Sequence, residues 1–165
     1  MSTLSSYDEV KLAELLLEIH PWAEMARFTR TGGESTSVAV RIARASTGRD
    51  KIAVCGYHGW QDWYLAANLG EKGTSGLEGH LLPGLEPNGV PKGLEDTIIT
   101  FRYNDREAIE KVFRHHADLA AVIMEPTRTE DPEPGFLEGI RELTQNCCKY
   151  CIKLNKYIKN EIKIK

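Results

Sequence analysis

The run Leu119-Ala120-Ala121-Val122-Ile123-Met124 has no polar residue in six positions and is closed by Glu125-Pro126. Alternation of apolar and polar residues marks a strand with one wet face, whereas an unbroken apolar run of this length marks a strand buried on both faces. Together with the alternation of strand and helix patterns along the chain, such a strand argues for an α/β layer with a largely parallel sheet.

The flanking sequence supplies the other layers. Asp8 to Ile19 carries Val10, Leu12, Ala13, Leu15, Leu16 and Ile19 near helical period and is stopped by His20-Pro21. Met25 to Phe28 has the makings of a short strand. Ser35 to Ser46 reads as a helix, with Gly48 as its left-handed cap. Lys51 to Cys55 is a short apolar strand, and Trp60 to Leu69 holds one or two helical turns. From Gly70 to Gly93 there are seven glycines and three prolines, the composition of a long irregular loop. Thr97 to Phe101 is a β-branched strand, and Asn104-Asp105-Arg106-Glu107 opens a helix to about His115. Phe136 to Gln145 is helical in pattern.

Three places carry candidate chemistry. Thr31-Gly32-Gly33 stands at the start of a helix, where free N–H groups and the positive end of the macrodipole favour an anion, usually phosphate. A glycine pair before a helix is also a common tight turn. Gly56-Tyr57-His58-Gly59-Trp60 follows a strand directly, where open α/β sheets bind ligands, and Tyr57 can stack on a planar ring or pack under a loop. Glu125 closes the apolar strand, so its carboxylate is either functional or paired with a group such as Arg128. His115-His116 reads as a solvated helix end. Cys148 and Cys151 have metal-ligand spacing, but no second pair or histidine follows, so no metal is expected.

Charge divides the chain. The net value of −3 over 165 residues argues against a nucleic-acid or membrane partner. Residues 147–165, however, hold six lysines against one glutamate, which leaves −8 on residues 1–146. That tail also has three of the four cysteines and no Gly, Pro or Ala. We read 147–165 as an unrelated basic segment, expected to be disordered or a frameshift product. With no basic leader and no long apolar span, the reading is cytoplasmic.

Taken in order, Trp22-Ala23-Glu24-Met25-Ala26-Arg27-Phe28, the run from Val40 to Ile52, Gly56-Tyr57-His58-Gly59 and Val122-Ile123-Met124-Glu125-Pro126 resemble the class III pyridoxal-phosphate aminotransferases of fold type I. Within that family they look most like the glutamate-1-semialdehyde aminomutase branch. The resemblance covers about residues 5 to 146 and implies that 1–146 is part of the family's large domain. It further implies amino-group transfer with pyridoxal 5'-phosphate, small-molecule amino donors and acceptors, and a homodimer.

Position by position, the resemblance makes Arg30-Thr31-Gly32-Gly33-Glu34-Ser35 the phosphate loop, which in the family usually reads Asn-Ser-Gly-Thr-Glu-Ala. Thr31 keeps a hydroxyl, Gly32 keeps the tight turn, and Gly33 replaces a hydroxyl residue. Tyr57 matches the ring-stacking aromatic, His58 and Gly59 complete its turn, and Glu125 matches a glutamate beside the cofactor. The family's Asp-Glu strand end, whose Asp holds the pyridine nitrogen, and its later Schiff-base lysine have no match here. The sequence therefore leads to a fragment with no catalytic residue of its own, inactive alone. The alternatives are a non-catalytic cofactor-binding or interaction module, or a decayed gene product.

Overall fold

The computed structural model describes residues 6–21, 23–70, 86–127, 130–147 and 151–153. Helix α1 spans Tyr7–Ile19 and α2 spans Gly32–Thr47; strand β1 is Lys51–Cys55. The short α3 (Asp62–Leu65) runs into a 3₁₀ turn, Ala66–Asn68. Then follow β2 (Ile98–Thr100), α4 (Arg106–His115), β3 (Leu119–Met124), α5 (Phe136–Cys147) and β4 (Cys151–Lys153). The strands form one sheet in the order β2-β1-β3-β4, and all three pairings are parallel. The α/β architecture with a parallel sheet is the one expected from sequence.

The unbroken apolar run does what its composition requires: all six residues of β3 are buried. On one face Ile52, Val54, Ala120, Ala121 and Ile123 pack with Ala39, Val40 and Ala43 of α2 and with Trp63 and Tyr64. On the other, Ala53, Cys55, Leu119, Val122 and Met124 meet Ile109, Val112 and Phe113 of α4 and Phe136 and Ile140 of α5. Ala120 and Ala121 share a face because the β1–β3 register slips there. Lys51 pairs with Leu119, but Ile52 pairs with Ala121. Each large buried side chain in these layers contributes about 1.5–3 kcal/mol.

Helix ends follow their local chemistry. Ser6 and Glu9 form a reciprocal capping box at the start of α1. Gly48 closes α2 at φ +67°, its N–H on the Arg44 carbonyl. Asp105 caps α4 by accepting from the Ala108 N–H at 2.8 Å. Helix α1 buries none of its residues, and Val10, Leu12, Leu15 and Ile19 are 46–56% exposed.

Three expectations need adjustment. Met25–Phe28 forms no strand; among the described residues the segment has no strand partner, and Met25 is 85% exposed. His116 is half-buried rather than solvated, and its Nδ1 is buried with no hydrogen-bond partner among the described residues. Three residues of the segment read as a tail, Cys151–Lys153, lie alongside Val122–Met124 and supply β4, since a third parallel strand satisfies the backbone groups on that side of β3. Residues 71–85 of the glycine-rich loop, Arg128, Cys148 and the lysines from 156 onward lie outside the described residues.

Candidate functional site

The strand order places β2 on one side of β1 and β3 on the other, so the chain changes direction across the sheet at β1. Open parallel sheets bind ligands at such a switch point, in the crevice beyond the carboxyl ends of the strands. Gly56–Gly59 follows β1 there and Glu125 follows β3. The Glu125 N–H donates to the Cys55 carbonyl at 3.2 Å, joining the two strand ends.

The first turn of α2 borders the same crevice. Thr31 is its N-cap in extended conformation, and the Thr31 hydroxyl accepts from the Glu34 N–H at 3.2 Å. The Glu34 carboxylate bends back to the Arg30 N–H at 2.8 Å, and the hydroxyls of Thr29 and Ser35 bond across the turn. These contacts fix the approach to the helix, and neither glycine puts a side chain of its own over the first turn. A helix of 16 residues sustains a macrodipole of roughly half a charge at this end.

Two links tie this turn to the loop after β1. The buried Thr36 hydroxyl contacts both the Gly33 carbonyl at 2.9 Å and the His58 carbonyl at 3.1 Å. The Gln61 amide lies between Gly33 and Gly59, filling the space where a Cβ on either glycine would stand. Neither Thr36 nor Gln61 was singled out from sequence. Thr36 looked like an ordinary helix residue, and Gln61 lies two positions past the motif; only the crossing of α2 over the loop brings them into use.

The loop itself is held from below. Tyr64 is fully buried and its hydroxyl donates to the Gly56 carbonyl at 2.9 Å. His58 is 4% exposed, donates from Nε2 to the Cys55 carbonyl at 3.0 Å, and packs against Trp63 and Tyr64. Its ring therefore faces the core and braces the turn. Tyr57 points the other way, 41% exposed and edge-on to Tyr64 at 5.9 Å. Gly56 takes φ +98°, and the Glu125 carboxylate sits 2.6 Å from where its Cβ would be. Glycine is needed there twice over, for the dihedral and for the close approach.

Thus Thr31, Gly32 and Gly33, Tyr57 and His58, and Glu125 belong to one connected patch, though they lie on three separate stretches of chain. The set suits a phosphorylated planar ligand: backbone N–H donors for an anion at one end and an exposed aromatic ring beside it. The opposite, amino end of the sheet carries a different cluster. There Lys51 and Asp118 are 3.0 Å apart, the Lys51 hydrogen bond lowers the pKa of the Asp118 carboxyl, and burial lowers that of His116.

The family model for aminotransferase class-III matches residues 1–149. The chain is 41% identical over 143 residues to a glutamate-1-semialdehyde 2,1-aminomutase of Desulfovibrio desulfuricans, covering 82% of this chain and 32% of that protein. An omega-transaminase from Sphaerobacter thermophilus superimposes with TM-score 0.73 at 30% identity, over 92% of this chain and 36% of that one. A glutamate-1-semialdehyde-aminomutase from Pseudomonas aeruginosa PAO1 gives TM-score 0.66 at 29% identity, over 88% and 32%. The chain thus spans about a third of the length of these relatives. With the sequence motifs, the parallel sheet and the family model in agreement, this chain belongs to the class-III aminotransferase family, on the fold type I architecture.

Proposed function

We propose that this chain supplies the phosphate cradle and ring platform of a pyridoxal 5'-phosphate site serving amino-group transfer between small molecules, by transamination or by the intramolecular shift of an aminomutase. The observation that carries this reading is the convergence of the α2 N-terminus, the Gly56–Gly59 turn and Glu125 at the switch point of the sheet, linked through Thr36 and the Gln61 amide. When bound, the pyridoxal ring acts as an electron sink for the α-carbon of an amine.

The chain's residues have separable tasks. The N–H groups of Gly32 and Gly33 and the Thr31 hydroxyl hold the phosphate. Tyr57 presents its exposed ring to the pyridoxal face, and His58 keeps Tyr57 in place by anchoring the turn to Cys55. Glu125 orients polar groups of cofactor or substrate from the end of β3. Among the described residues none stands in the place of the Asp-Glu pair or of the lysine that the family uses. We therefore propose cofactor binding without turnover as the property of the chain by itself, with residues 1–146 forming part of a large domain.

The exposed apolar residues of α1 fit a surface covered by a second copy, as a homodimer would do. Among the described residues no helix is long and apolar enough to cross a membrane, and we propose the cytoplasm as the site of action. The test is titration of the full chain with pyridoxal 5'-phosphate by calorimetry, followed by an amino-transfer assay with an amine and a 2-oxo acid. Saturable binding without turnover supports the reading. Absence of binding sinks it, and turnover by the chain alone would show that another residue replaces the missing lysine.

A further inference from the structure

Gln61 stands at the N-cap of α3, yet its side chain does not cap that helix; only its backbone carbonyl does, accepting from the N–H groups of Tyr64 and Leu65. The amide turns instead into a slot made by two glycines. Its Nε2 lies against Gly33 and its Oε1 against Gly59, with the amide carbon 2.7 Å from where a Gly33 Cβ would stand. The Oε1 atom is buried and has no hydrogen-bond partner among the described residues. An orphaned acceptor calls for a donor, which a phosphate does not offer; the group that can meet an anion here is Nε2, whose two N–H donors lie against Gly33 in the first turn of α2.

The phosphate loop of this chain also lacks something. Gly33 stands where a hydroxyl residue usually stands in the family, and the space its side chain would take is occupied by the Gln61 amide, an uncharged hydrogen-bond donor of two N–H groups. We infer that Gln61 is a phosphate-binding residue that replaces the hydroxyl absent at position 33, delivering its Nε2 to the cofactor phosphate across the first turn of α2. Positions 33 and 61 are then coupled. Glycine at 33 makes room for the amide, and a side chain at 33 displaces it, cheaply, because the atoms it meets are the far end of a flexible chain.

This inference rests on the reading of the site as a pyridoxal-phosphate cradle, and the experiment separates the two. The full 165-residue chain is titrated with pyridoxal 5'-phosphate and, in parallel, with pyridoxal, which lacks the phosphate. Losing one hydrogen bond to a charged group corresponds to about a tenfold or greater loss of affinity. Gln61→Ala is expected to lose that much for pyridoxal 5'-phosphate while keeping its affinity for pyridoxal. The double variant Gly33→Thr/Gln61→Ala is expected to recover most of the loss, which a merely structural role for Gln61 would not produce. Gln61→Ala binding both ligands like the wild type, losing both equally, or failing to be rescued overturns the inference alone. Failure of the wild-type chain to bind pyridoxal 5'-phosphate overturns the cradle reading and this inference with it.

Discussion

The Thr36 hydroxyl and the His58 carbonyl oxygen lie 3.1 Å apart in the buried seam between α2 and the loop after β1. The first turn of α2 and the loop that carries Tyr57 are thereby tied together by one buried side chain.

Thr36→Val keeps the shape and removes the hydroxyl that reaches the Gly33 and His58 carbonyls. The expected cost is about 1–3 kcal/mol of stability, read by urea denaturation. Affinity for pyridoxal 5'-phosphate should fall as well, because the helix turn and the loop lose their common anchor. Unchanged affinity in a folded Thr36→Val protein would show that the seam does not set the spacing.

Two glycines separate strain from function. Gly48 and Gly56 both have positive φ, but nothing surrounds the Gly48 Cβ position, while Gly56 faces Glu125. Each alanine substitution is expected to cost about 1–3 kcal/mol in backbone strain. Only Gly56→Ala should also weaken cofactor binding, by pushing the carboxylate away from the strand ends. Equal binding losses in the two variants would contradict this.

Tyr57 is expected to matter for binding and little for folding. Its ring is 41% exposed and stands edge-on to the buried Tyr64. Tyr57→Ala should leave the melting temperature nearly unchanged and lose about 0.5–1.5 kcal/mol of affinity for pyridoxal, with inorganic phosphate binding intact. Phosphate binding that falls in parallel would argue against a ring platform.

The last prediction concerns pH. Burial first, and then Lys51 and His115, hold the His116 pKa below its usual value, against the opposing pull of Asp118 and Asp96. The folded chain therefore resists a proton that the unfolded chain accepts near its ordinary value of about 6.5. Stability from this group is fully present above that pH and declines as pH falls through it towards the lowered folded value. Denaturation midpoints at pH 7.5 and at about 5.5 should differ less in His116→Asn than in the wild type. An identical pH slope in both proteins would remove His116 as the cause.

Much of the architecture was legible because it rests on local pattern. The apolar run at Leu119–Met124, the glycine closing α2 and the cap at Asp105 each state their conformation within a few residues. Thr31–Gly33, Tyr57, His58 and Glu125 stand out singly in the sequence, at a helix start and after two strands, and as a set only through the family resemblance; the parallel β1–β3 pairing brings the two strand ends together, and their part in holding a cofactor is a proposal. What the sequence withheld depends on distant chain. Whether Met25–Phe28 finds a sheet edge, whether His116 is covered, and where the Gln61 amide turns are decided by elements far away in the chain. The inward direction of His58 belongs to the same class, because the neighbouring Tyr57 faces out.

The wholly parallel sheet has a consequence in time. No strand pairs with its predecessor through a hairpin, so β1 waits for its central neighbour until Met124 has been made. At synthesis rates of about 5–20 residues per second, that delay is roughly 3–14 s after Cys55. Through that interval the edge of β1 that pairs with β3 has no partner strand. Of Thr31–Gly33, Gly56–Gly59 and Glu125, Glu125 is the last to be made, so these three stretches cannot meet before β3 is complete.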